Sequence, residues 1–134
     1  MVSVESHKES ARSFVNDIEE KLRSEKIVER QKLVGFACSE ASCDLLAILL
    51  HKKNLIDPGF NVNHRLFSSI KRAKLKFDFE FPSKDTLIRL MVNQEEYRNN
   101  LCYGKPKKSH VVIKGVENFF EIKRIIEKET GEKI

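Results

Sequence analysis

An all-α bundle of about five helices is the fold class this sequence predicts, from three observations. Apolar residues recur three and four apart through most of the chain, the spacing that lines one face of a helix. The one run that alternates with period two, Phe77-Asp78-Phe79-Glu80-Phe81, ends at Pro82 and stands too isolated to make a sheet, so it reads as an extended connection. Turn-forming residues gather at a few places, among them Asp57-Pro58-Gly59, Gly104 with Pro106, and Thr130-Gly131, so the connections are short. At 134 residues the chain makes a single domain, residues 1–134, long enough to bury a core.

The first helix falls in residues 8–24, where Ala11, Phe14, Val15, Ile18 and Leu22 form an amphipathic stripe. Residues 27–52 predict a longer helix, apolar on several sides, whose small residues Gly35, Ala37, Ser39, Ala41 and Ser42 allow close helix approach. Asn63 is placed to cap a third helix with Leu66, Phe67, Ile70 and Ala73 inside and Arg65, Lys71, Arg72 and Lys76 outside. Ser83 is the expected cap of a fourth, which carries Leu87, Ile88, Met91 and Leu101 and stops near Gly104. The fifth bears Val112, Val116, Phe119, Phe120, Ile122, Ile125 and Ile126, and Thr130-Gly131 ends it.

Lys and Arg number 25 against 20 Asp and Glu, a net charge of +5. Residues 1–30 hold 6 basic and 7 acidic groups, residues 31–116 hold 15 and 8, and residues 117–134 hold 4 and 5, so the excess lies in the middle of the chain. Concentrated positive charge suits a polyanion, whose neutralised phosphates release counterions. Lys32, Arg65, Lys71, Arg72, Lys76, Lys105, Lys107, Lys108 and Lys114 are the expected contacts, and the competing reading is of solvated helix faces. Cys38, Cys43 and Cys102, an odd number without a C-x-x-C pair, argue against a disulfide framework and a zinc site and for inert core thiols. No stretch is expected to reach the roughly 20 apolar residues that span a bilayer, and the charged start lacks a signal peptide's apolar core. The expected location is cytoplasmic, with no membrane partner.

Among chemical motifs, a Gly-rich phosphate loop, H-E-x-x-H, G-x-S-x-G and an EF-hand loop are all missing, and His7, His51, His64 and His110 are scattered. Two local patterns rise above this background. Glu29-Arg30-Gln31-Lys32-Leu33-Val34-Gly35-Phe36-Ala37 resembles the signature helix of ribonuclease III domains, Glu-Arg-Leu-Glu-Phe-Leu-Gly-Asp-Ala, with Glu29, Arg30, Gly35 and Ala37 coinciding. Val112-Ile113-Lys114-Gly115-Val116-Glu117 is similar to that family's second acidic helix, and Gly104-Lys105-Pro106-Lys107-Lys108 to a basic connection some compact members carry. The resemblance implies an all-α nuclease fold, a homodimer, and RNA that is structured or double-stranded as the ligand. In the family, four carboxylates hold two Mg²⁺ ions that activate water. Lys32, Phe36 and Lys114 stand at three of those positions, leaving Glu117. Endoribonuclease activity would then need a displaced set, Glu40 and Asp44 one turn farther along the helix together with Glu117, and Mg²⁺ or Mn²⁺ is the cofactor only in that case. Solvated or ion-paired carboxylates are the alternative at Glu40 and Asp44.

Tyr97-Arg98-Asn99-Asn100-Leu101-Cys102-Tyr103-Gly104 resembles the R-N-x-x-x-H site of HEPN domains, all-α bundles that are metal-independent ribonucleases or partners of minimal nucleotidyltransferases. That resemblance implies Arg98, Asn99 and Tyr103 as site residues, with Arg98 steadying phosphate and Tyr103 in the histidine's place. The alternative is a helix end where Arg98 meets the closing carbonyls and Gly104 is the left-handed cap. The ribonuclease III-like function is expected first and the HEPN-type function second. A non-catalytic dimerisation module is the third expectation, with Phe77, Phe79 and Phe81 as an exposed interface patch.

Overall fold

Every regular element is helical in the computed structural model, which describes residues 3–134. The elements are α1 (Val4–Arg23), α2 (Gln31–Lys52), a 3-10 turn (His64–Phe67), α3 (Ile70–Lys76), α4 (Lys84–Cys102) and α5 (Ser109–Thr130), and no strand occurs among the described residues. The all-α bundle expected from the apolar spacing is present. Helix α2 is its axis: it packs against α1 on one side and against α4 and α5 on the other, and α4 and α5 pack on each other. Leu45, Leu46, Ile48, Leu49 and Leu50 on α2 are fully buried, together with Ile18, Leu87, Ile88, Phe119 and Ile122. By length and composition α2 is apolar enough to cross a membrane, contrary to expectation, but 78% of that stretch is buried inside the protein. Its apolar surface is covered by three neighbouring helices.

Gly35 accounts for part of this closeness. A Cβ there would stand 2.8 Å from Leu101 Cβ, so only glycine lets α2 and α4 approach as they do. Cys38 and Cys43 are buried and free, and burial pushes both thiols far up, as expected of inert core cysteines. Cys102 is partly exposed, and burial raises its thiol less.

Three local expectations are corrected. The helix expected from Asn63 onward is split: Asn63 Oδ1 accepts from Arg65 N at 3.0 Å to cap the 3-10 turn, and Ser69 Oγ accepts from Arg72 N at 3.0 Å to start α3. The hydroxyl of Ser69, in extended backbone, competes with helix continuation. Ser83 stands at the N-cap of α4 as expected, but in left-handed backbone with φ 59° its side chain makes no capping hydrogen bond; its hydroxyl instead donates to Glu129 on α5 at 3.2 Å. Phe77 and Phe81 are buried and Phe79 is half-buried, so the exposed patch is absent. Without a sheet to hold it flat, the segment turns these rings inward to cluster with Phe60 and Phe67, Phe77 stacking on Phe67 at 5.5 Å. The 3-10 turn and α3, within and beside which these rings lie, both pack on α4.

Candidate functional site

An open cleft of about 580 Å³ lies between α1, α2, the 61–64 segment and α4. Residues 36, 40 and 44 fall four apart on α2, so Phe36, Glu40 and Asp44 share one face and form the floor. Ser6, His7 and Ser10 enter from α1, Asn61, Asn63 and His64 from the segment leading into the 3-10 turn, and Arg98 from α4.

The charged groups in the cleft are paired across elements. Arg98 donates from Nη1 to Glu40 Oε2 at 2.8 Å and to Ser39 Oγ at 3.1 Å, and its guanidinium lies 5.1 Å from the centre of the Phe36 ring. Phe36 is propped edge-on by Phe14 at 5.9 Å. His7 Nδ1 lies 2.8 Å from Asp44 Oδ1, and His64 Nδ1 lies 2.9 and 3.0 Å from the two oxygens of Glu95, a residue only 8% exposed. A carboxylate accepts, so each Nδ1 donates, and each ring is fixed with Nε2 as the nitrogen left to exchange a proton. His51 stacks on His7 at 5.9 Å, and its Nε2 is buried without a partner; burial, with His7 adding, lowers its proton affinity. Counting Glu95, which stands behind His64 outside the cleft lining, three carboxylates accompany Arg98 and two imidazoles, so the charge runs from −3 + 1 = −2 with both rings neutral to −3 + 3 = 0 with both protonated. The cleft itself therefore carries no net positive charge, and the exposed cations of the molecule lie outside it.

Those expected from the sequence form two groups, with Lys114 apart from both. Arg65, next to His64, and Lys71, Arg72 and Lys76 on α3 are exposed, Lys76 with its ammonium 5.0 Å from the Phe60 ring centre. The loop with Lys105, Lys107 and Lys108 is locked to the start of α2 by Gln31, only 3% exposed: its amide donates to Lys107 O at 3.1 Å and accepts from Lys107 N at 2.6 Å. Lys32 is exposed in the first turn of α2 beside that loop, sharing a hollow with Pro106, while Lys114 is exposed on α5.

The two sets of site residues expected from the sequence are divided and recombined by this geometry. Glu40 and Asp44 share the polar cleft, but Glu117 lines a separate apolar groove with Leu22, Ile27, Ile113, Val116 and Phe120. Among the described residues no three His, Cys, Asp or Glu side chains gather as metal ligands. Arg98 reaches Glu40 and not the closing carbonyls of α4, whereas Asn99 is exposed, Tyr103 is 64% exposed, and neither lines the cleft. Gly104 does take the left-handed conformation, φ 76°, expected of a cap. The two histidine–carboxylate pairs are what sequence reasoning missed. No local pattern announces them, because the partners of each pair lie 37 and 31 residues apart in sequence. No family model matches the chain, and no curated protein or solved structure matches it significantly.

Proposed function

We propose that this chain binds RNA and cuts it without a metal ion at the cleft that holds Arg98, as its resemblance to HEPN domains implies. One observation carries this: Arg98 enters a cleft whose walls also present two imidazoles, each held by a carboxylate. A guanidinium suits phosphate oxygens, and the N–H groups on Nε and Nη2 remain for them while Nη1 is engaged by Glu40 and Ser39. An oriented imidazole suits proton transfer near neutral pH. Of the carboxylates expected to replace the ribonuclease III metal site, Glu117 lies in another groove from Glu40 and Asp44, which leaves metal-dependent cutting with less support. Arg65 and the α3 cations supply the attraction that the cleft itself lacks.

A second reading, RNA binding without cutting, is favoured by the Gln31 lock, which holds Lys105, Lys107 and Lys108 next to Lys32. The test is incubation of the purified protein with labelled single- and double-stranded RNA in Mg²⁺, Mn²⁺ or EDTA, scoring binding and cleavage together. Binding that weakens steeply with salt and cutting that survives EDTA are expected. Cutting abolished by EDTA would overturn the metal-independent site, binding without cutting would leave the second reading, and binding indifferent to salt would overturn both.

A further inference from the structure

We infer that His7 and His64 are the two proton carriers of the cleft, and that the reaction they serve is attack of a ribose 2′-hydroxyl on the adjacent phosphate. This rests on the metal-independent reading above and names its chemistry. The motif around Arg98 contains no histidine, since Tyr103 occupies that place and points its ring to solvent. Two histidines distant in sequence, one on α1 and one at the head of the 3-10 turn, line the same cleft instead. Each has its Nδ1 on a carboxylate, so Asp44 and Glu95 are positioning residues that fix the tautomer and hold the ring in place. Glu95 has no evident structural reason to be buried other than this contact, because among the described residues His64 is its only ion-pair partner.

The step balances with no co-reactant. One neutral imidazole takes the 2′-OH proton on Nε2 as the 2′ oxygen bonds to phosphorus. The P–O5′ bond breaks, and the other, protonated imidazole delivers its Nε2 proton to the departing 5′ oxygen. The products are a 2′,3′-cyclic phosphate and a 5′-hydroxyl, and the rings exchange protons with water to reset. Arg98 neutralises the charge that gathers on the non-bridging oxygens.

The experiment measures cleavage in EDTA by wild type, His7→Asn, His64→Asn, Asp44→Asn and Glu95→Gln, on RNA and on the same RNA with sulfur replacing O5′ at the mapped cut. Each histidine variant is expected to lose about 10²–10⁴-fold in rate while still binding RNA of the 2′-deoxy form at the cut site. On the sulfur substrate, whose leaving group needs no proton, one histidine variant recovers and the other does not. Glu95→Gln and Asp44→Asn lower kcat with KM unchanged, and they carry the test if a histidine variant does not fold. Wild-type cutting by either histidine variant, recovery of neither, or products without cyclic phosphate overturns the assignment. If Arg98→Ala abolishes cutting while both histidine variants cut normally, the metal-independent site stands and only this assignment falls; if wild type does not cut in EDTA, both fall.

Discussion

Two grooves of similar size flank the bundle, and they are built on opposite principles. The one between the end of α1 and α5 has a volume of about 440 Å³ and is walled by Leu22, Ile27, Ile113, Val116 and Phe120, with its charges at the rim, where Glu121 pairs with Arg124 at 2.9 Å. The one on the α2 floor, about 580 Å³, holds two carboxylates, a guanidinium and two imidazoles, all cross-paired, with Glu95 behind it as the partner of His64. An apolar lining stabilises the fold simply by touching it. A partly buried ionic network has to overcome the desolvation of every member, and apolar residues of similar volume often stabilise at least as well. The polar cleft is thus the one whose residues call for a reason other than stability, and a cleft with a few convergent polar groups is where chemistry is expected.

The sharpest way to separate the grooves is to remove one charge from each. Arg98→Ala is expected to lower cleavage in EDTA on the order of 10²–10³-fold, the scale of losing one preorganised charge contact. Glu117→Ala in the apolar groove should leave the rate unchanged, and a loss there equal to that of Arg98→Ala would return the site to the carboxylates.

Gly35→Ala probes the α2–α4 contact that sets the distance between Arg98 and the cleft floor. With Leu101 Cβ only 2.8 Å from the added methyl, a loss of about 1–3 kcal/mol is expected in urea unfolding. An unchanged midpoint would mean the helices are free to slide apart.

A smaller effect is expected from acid. Lys52 and Lys8 grip Glu132, tying the start of α1 and the end of α2 to the chain's last residues. Their hydrogen bonds hold the Glu132 carboxyl down to about 2, from an ordinary value of 4.5. A depressed carboxyl contributes stability that is complete above its unfolded value and lost as pH falls through its folded one, so the loss runs from about pH 4.5 to about 2. Glu132→Gln should make unfolding midpoints less pH-dependent in that window, and an identical pH profile would dismiss the clasp. Smallest of all, Ile113→Ser on the apolar side, at a residue 44% exposed, should change stability by less than about 0.5 kcal/mol and cleavage not at all.

Helix-forming segments were legible because their signal is local. Ala11, Val15 and Ile18 are buried as their spacing demands, and Gly131 ends α5 with the left-handed φ of 73° that Gly at that place predicts. Helix α2, with Gly35 against Leu101, bears out the close approach its small residues suggested. The Phe77–Phe81 segment misled because alternation describes a face only when a sheet exists to define one. Ser83 misled because a capping side chain requires extended backbone, and φ is not written in the residue type. The site was half legible. Arg98, Glu40 and Asp44 stood out by motif and spacing, but His7 and Asp44 are 37 residues apart and His64 and Glu95 are 31, separations at which one sequence carries no pairing signal. The fold supplied that pairing by wrapping α1 and the 3-10 turn around one face of α2.

The most direct test of the polar cleft as the proposed RNA site is a titration of ¹⁵N- and side-chain-labelled protein with a single-stranded RNA carrying 2′-deoxy sugars, which has no nucleophile to react. The largest NMR shifts are expected at His7, Asn63, His64 and the Arg98 guanidinium, with a second set at Arg65 and α3. Shifts confined to Ile113, Val116 and Phe120, or to Lys105–Lys108 alone, would contradict it.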